Sequence, residues 1–157
     1  MKLRDAHGQL QTHLNELSVA LVSDVEMARL HEQFLGIVGP TDVLTFPLEQ
    51  DQDGRDIAGE VVVCLPEAKR QAARNGNTVE QEVLLYALHG MLHLSGFDDR
   101  TPVGFRKMHC KEDEILQKLG IGPVYSKAPA NAHHAKSRSK GKNIRKTRPI
   151  RRVAGEF

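Results

Sequence analysis

Three side chains in the stretch Tyr86-Ala-Leu-His-Gly-Met-Leu-His-Leu-Ser-Gly-Phe-Asp-Asp99 have types and spacing that suit metal chemistry. His89 and His93 are four residues apart, so on a helix they share one face roughly 6 Å from one another, and two imidazoles can reach one ion. Gly96 can take the positive φ that ends a helix, which lets the chain turn back and carry Asp98 and Asp99 towards the imidazoles. Asp99 is the expected third ligand. Three protein ligands with the fourth position open describe a catalytic zinc, whereas a structural zinc is closed by four, usually with thiolates. One Zn2+ per chain, on His89, His93 and Asp99, is therefore expected.

The spacing His-x3-His-x2-Gly-x2-Asp is that of the metzincin proteases, but Gly90 stands where their general-base glutamate would be. A peptidase built this way keeps its metal and loses its proton acceptor. With the flanking residues included, the stretch resembles the His-Gly-x-Leu-His-Leu-x-Gly-(Phe/Tyr)-Asp-His signature of the YbeY family of bacterial rRNA maturation factors, metal-dependent endoribonucleases, at ten of eleven positions. The family's closing histidine is Asp99 here. A carboxylate changes the site's charge by one unit and widens the choice of ion towards harder metals. Two further blocks resemble the family in the same order: Pro40-Thr-Asp-Val-Leu-Thr-Phe-Pro47, like its Pro-Thr-Asn-Val-Leu-Ser-Phe-Pro strand, and Gly59-Glu-Val-Val-Val63, like its Gly-Asp-(Ile/Leu)-x-Ile strand. Leu35 departs from the pattern. It takes the place of an arginine thought to contribute to RNA cleavage, and leucine can neither grip a phosphate nor stabilise developing charge.

The elements that must position these residues follow from periodicity and caps. Residues 17–22 alternate and then run apolar, as a half-buried strand does. Ser23 and Glu26 form an expected capping box for a helix to Leu35, with Gly36 as its stop. Residues 42–46 read as a second strand ended by Pro47, residues 49–56 as an acidic loop, and residues 59–65 as a third strand. A helix from Pro66 to Asn75 leads to Thr78 and Gln81, a second capping box. From there Val79, Val83, Leu84, Ala87, Leu88 and Met91 form an apolar face, with the histidines on another side. Thr101 and Pro102 open a last helix that uses Phe105, Met108, Ile115, Leu116 and Leu119 and ends at Gly120. Upstream, Leu10, Leu14 and Leu17 have the spacing of the end of an amphipathic helix. The resemblance implies an edge strand before Leu17, so the expected sheet is one strand smaller or the start lies further upstream. His109, His7, His13, His31, His133 and His134 lack supporting spacing and are read as bland or surface residues. Cys64 and Cys110 are read as ordinary thiols.

A chain of 157 residues is long enough for one core without disulfides. No apolar run approaches the roughly 18 residues of a membrane span, and no signal-peptide core follows Lys2 and Arg4, so a cytoplasmic location without membrane contact is expected. The net charge of +2 conceals a division: residues 126–157 hold ten Lys or Arg against Glu156, a surplus of nine, which leaves residues 1–125 at −7. The basic segment has few apolar residues and several Pro and Gly, so disorder is expected there. Lys140, Lys142, Arg145, Lys146, Arg148, Arg151 and Arg152 resemble a phosphate-binding arm, or equally a solubilising extension without stacking aromatics.

The expected fold is α+β: a small mixed sheet of about three to four strands packed with helices, the metal on a central helix, in one domain over residues 1–125 with the basic tail at 126–157. The resemblance implies a zinc-dependent endoribonuclease in rRNA maturation and ribosome quality control, with rRNA or a ribosomal subunit, and ribosomal proteins, as partners. Asp98, Glu60 or the activated water alone could supply the general base. The alternative is a ribosome-assembly RNA-binding protein with a structural metal and no cleavage.

Overall fold

In the computed structural model the described residues are 2–10 and 12–122; the expected tail, with Lys140 to Arg152, lies outside them. The chain runs α1 (Leu3–Gln9), β1 (Glu16–Val22), α2 (Asp24–Leu35), β2 (Val43–Gln50), β3 (Asp56–Cys64), α3 (Leu65–Asn75), α4 (Val79–Leu94) and α5 (Pro102–Lys118). This is the expected α+β class. Among the described residues three strands form one mixed sheet in the order β1-β3-β2, with β1 parallel and β2 antiparallel to β3.

The run Val61-Val-Val-Cys64 explains why β3 is central: only a strand covered on both faces can bury four apolar residues in succession. Alternation sends Val61 and Val63 to the face packed by α4, together with Leu88, Met91 and Leu92. Val62 and Cys64 point the other way, with Leu44, towards Met27 of α2. The motif helix lies very close to the first face. A Cβ on Gly90 would sit 2.7 and 2.9 Å from the two Cγ atoms of Val61 and 3.0 Å from Thr45 Oγ1. Position 90 therefore faces the sheet, so a side chain there would be driven into β3 instead of reaching His89 and His93.

The caps follow the sequence closely, with one exception. Thr78 Oγ1 accepts from Gln81 N (3.2 Å) while Gln81 Oε1 accepts from Thr78 N (2.8 Å), closing the capping box that starts α4. Ser23 Oγ accepts from Glu26 N (3.2 Å), but the Glu26 carboxylate is taken by Arg29, at 2.6 and 2.9 Å, so that box is half-formed.

Other differences have identifiable causes. Upstream, the helix ends at Gln9 and Leu10 is already extended, with ψ 120. Leu10 and Leu14 are buried from irregular backbone that leads to β1, where Asn15 N donates to Ile57 O, so their helical spacing was fortuitous. Strand β2 continues through Pro47 to Gln50 because it is an edge strand, where a missing N–H costs nothing on the open side. The register slips between Pro47 and Glu49, as in a β-bulge. Strand β3 begins at Asp56, and the expected acidic loop shrinks to a hairpin turn in which Asp51 Oδ1 accepts from Asp53 N and Arg55 N, both at 2.9 Å. Helix α4 is buried around most of its circumference, including Glu82, whose Oε1 accepts from Asn75 and Asn77 Nδ2 at 2.9 Å. Among the described residues no helix is long and apolar enough to cross a membrane.

Candidate metal centre

The end of α4 creates the site. Gly96, at φ +89, lets Gly96 N donate to His93 O and Phe97 N donate to Leu92 O, both at 3.0 Å, a Schellman closure that reverses the chain. The following residues bring Asp99 back over the imidazoles. Thr101 then caps α5 through Oγ1, which accepts from Gly104 N at 3.0 Å.

His89, His93 and Asp99 each offer one ligand atom, and the three atoms lie within 4.8 Å of one another. His89 Nε2 is 3.1 Å from His93 Nε2; Asp99 Oδ2 is 3.7 Å from the first and Oδ1 3.8 Å from the second. Tetrahedral ligation with bonds of about 2.0–2.1 Å sets donor atoms roughly 3.3–3.4 Å apart, a spacing that these values bracket.

Tautomers make the demand for a cation explicit. His89 Nδ1 is 2.7 Å from Glu112 Oε1, and His93 Nδ1 is 3.2 Å from the carbonyl of Phe97. Both partners only accept, the first as an ionised carboxylate, so both Nδ1 atoms carry hydrogen and donate. In the neutral rings this leaves two Nε2 lone pairs facing one another at 3.1 Å. A proton or a metal ion between them removes the repulsion. The electrostatics agree: burial opposes the His89 imidazolium, yet the hydrogen bond and charge of Glu112, with Asp99 and Asp42, raise its pKa overall. Burial and the neighbouring His89 charge lower that of His93, so the pair favours a single shared cation. Two imidazoles and a carboxylate, with Asp99 about one-third exposed, form a group able to hold a metal ion.

Of the two carboxylates expected as candidate bases, one lies away from the site and the other beside it. Glu60 is on β3 with Val62 and Cys64, on the face of the sheet opposite α4, because strand residues two apart share a face. Asp98 neighbours Asp99, but Arg100 grips it with Nη2 at 2.5 Å and Nε at 2.8 Å. Those bonds, with one from Arg100 N, hold the Asp98 carboxyl down at about 2, which makes it a weak proton acceptor. Leu35 packs into the apolar cluster of Met27, Leu44, Val62 and Cys64 under α2.

Two residues left without a role in the sequence reading adjoin the site. Glu112 on α5 is 1% exposed and meets His89 through Oε1 and His109 Nδ1 through Oε2, the latter at 2.5 Å. Burial pushes its pKa up, but the bonds and charges of His109 and His89 prevail and hold it below the usual range. The His109 ring stacks on His89, centroids 6.0 Å apart, with Phe105 edge-on at 4.3 Å. A signal was available: Glu112 lies on the same helical stripe as Met108, Ile115 and Leu116, where a charge needs a buried partner.

The family model described as "Endoribonuclease YbeY" matches residues 2–120. Proteins named Endoribonuclease YbeY are similar to the chain: that of Kineococcus radiotolerans is 43% identical over 139 residues, covering 81% of this chain and 79% of its own. That of Thermobifida fusca is 41% identical over 115 residues, covering 68% and 74%. The solution structure of TM1509 from Thermotoga maritima aligns at 32% identity over 82% of this chain and 83% of its own, with a TM-score of 0.49. With the family model spanning the whole body of the fold, this chain belongs to the YbeY family.

Proposed function

We propose that the chain is a zinc-dependent endoribonuclease acting on rRNA in ribosome maturation and quality control. The observation that carries the reading is the pair of opposed Nε2 lone pairs at 3.1 Å with Asp99 beside them, a donor set in need of a cation, in a family whose named relatives are endoribonucleases. Zinc suits two imidazoles and one carboxylate, and a bound ion would supply Lewis acidity, polarising a phosphoryl oxygen and bringing the pKa of water down to about 7. The chain's own part is positional. His89 and His93 present fixed nitrogens, Asp99 adds the negative donor, and Arg100 keeps Asp98 from competing as a further ligand.

Turnover tests this. Zinc-loaded protein is expected to release several RNA fragments per chain from a structured rRNA substrate, and a chelator to stop it. Leu35 in the apolar cluster favours the second reading, a ribosome-assembly RNA-binding protein with a structural metal. Tight binding without hydrolysis, in metal-loaded protein, would establish that reading instead.

The basic segment belongs to either reading. Lys140, Lys142, Arg145, Lys146, Arg148, Arg151 and Arg152 would act as an arm along the phosphate backbone, each contact adding about 0.7–0.9 to the salt slope of binding. Removing residues 126–157 is expected to flatten the plot of log affinity against log salt by several units. Identical slopes would take the arm out of RNA recognition.

A further inference from the structure

Glu112 has no place in the function proposed above, yet it is the most buried charge beside the site. A carboxylate at 1% exposure is tolerated only when its oxygens are fully engaged, and here both are, each by an imidazole Nδ1–H. The two contacts differ in kind. His109 is three residues away on the same helix, a local pair, whereas His89 is 23 residues away on α4. The long-range contact ties the third turn of α5 to the ring that faces His93.

We propose that Glu112 is a positioning residue, which holds His89 in the Nδ1–H tautomer and aims its Nε2 at His93 and Asp99, while His109 locks the carboxylate by occupying its other oxygen. The inference rests on His89 being a metal ligand. An unconstrained imidazole exchanges its hydrogen between the two nitrogens, and the Nε2–H form turns a hydrogen, not a lone pair, into the site. Glu112 removes that form because an ionised carboxylate can only accept. His109 closes the remaining freedom: its ring, stacked against His89 and wedged by Phe105, keeps Oε1 on His89 instead of letting the carboxylate rotate. Partners of this kind are worth roughly 10- to 100-fold in metal affinity.

The test uses the full chain labelled with 15N. Long-range 15N–1H spectra of the metal-free protein report the tautomer of each histidine, and cobalt(II) titration followed by visible absorption reports affinity. At a pH high enough to leave both rings neutral, wild type is expected to show His89 protonated at Nδ1 and bare at Nε2. Glu112→Met, similar in volume and without an acceptor, should release the tautomer and weaken cobalt binding about 10- to 100-fold. His109→Phe, which keeps a ring beside Phe105, should preserve the tautomer and weaken binding about threefold to tenfold. Under that condition, wild-type His89 carrying its one hydrogen on Nε2 would overturn the proposal even if Glu112→Met did not fold. So would a folded Glu112→Met with wild-type tautomer and affinity, or His109→Phe binding cobalt as wild type does. Wild type that binds no cobalt, with His89 still in the expected tautomer, would instead remove the metal reading and leave the hydrogen bond standing.

Discussion

Replacing His93 with alanine is expected to abolish zinc binding and, with it, RNA cleavage, while the fold stands. The ring supplies one of three donor atoms, and since the outer partners of metal ligands alone are worth roughly 10- to 100-fold, loss of a direct donor should weaken binding by more than about 100-fold. It contributes little to packing. One-third of its side chain is exposed, and its neighbours Leu92 and Leu94 are the residues buried in the core. Its removal also separates the two facing lone pairs, which favours the metal-free protein and offsets the lost bond to the Phe97 carbonyl. Metal-free variant and wild type should therefore melt within a few degrees of each other. Zinc at about 100 times the wild-type Kd should stabilise wild type by roughly 2.7 kcal/mol and the variant by less than about 0.4 kcal/mol. Thermal melts with and without zinc, beside a cleavage assay, check both statements. Zinc-dependent stabilisation that survives in the variant would put the ion elsewhere, and unchanged cleavage would identify a contaminating nuclease.

What the sequence could convey here is set by distance along the chain. The donors His89, His93 and Asp99 come together through one helix turn and one Schellman closure, both local events that spacing and Gly96 announce. The box at Thr78, the serine cap at Ser23 and the apolar run in β3 are equally local. Glu112 is a different case, because its meeting with His89 depends on how α5 packs against α4, which no residue spacing encodes; only its place on a buried stripe hinted at a partner. Glu60 is the converse case. Its position in a family-like strand was legible, but which face it takes depends on the alternation counted from Val61, and that puts it away from α4. In the sequence Pro47 looks like a stop, because edge and central strands look alike until the pairing order is known.

Gly104→Ala should be the most damaging small substitution near the site, and its sign runs against helix propensity. Alanine within a helix is ordinarily favoured over glycine by about 1 kcal/mol. At position 104 of α5, however, a Cβ would lie 2.0 Å from the backbone oxygen of Asp98 and 3.1 Å from Thr101 Oγ1. The first of these is main chain, so it cannot swing aside as a flexible side chain would; residues 98–101 must move as a unit, and Asp99 moves with them. Overpacking of this kind typically costs about 1–3 kcal/mol, and the rigidity of the clashing atom places this case at the upper end. Urea unfolding of the metal-free protein is expected to show a net loss of about 2 kcal/mol, and zinc titration a loss of at least tenfold in affinity as Asp99 leaves its place beside the imidazoles. Gly8→Ala in α1 is the matched control: nothing lies within 4 Å of its added Cβ, so it should stabilise by up to about 1 kcal/mol and leave zinc affinity unchanged. If Gly104→Ala instead behaved like Gly8→Ala in both measurements, the loop that carries Asp99 would not be fixed by its contact with the start of α5. The placement of the third donor would then have to come from the ion itself.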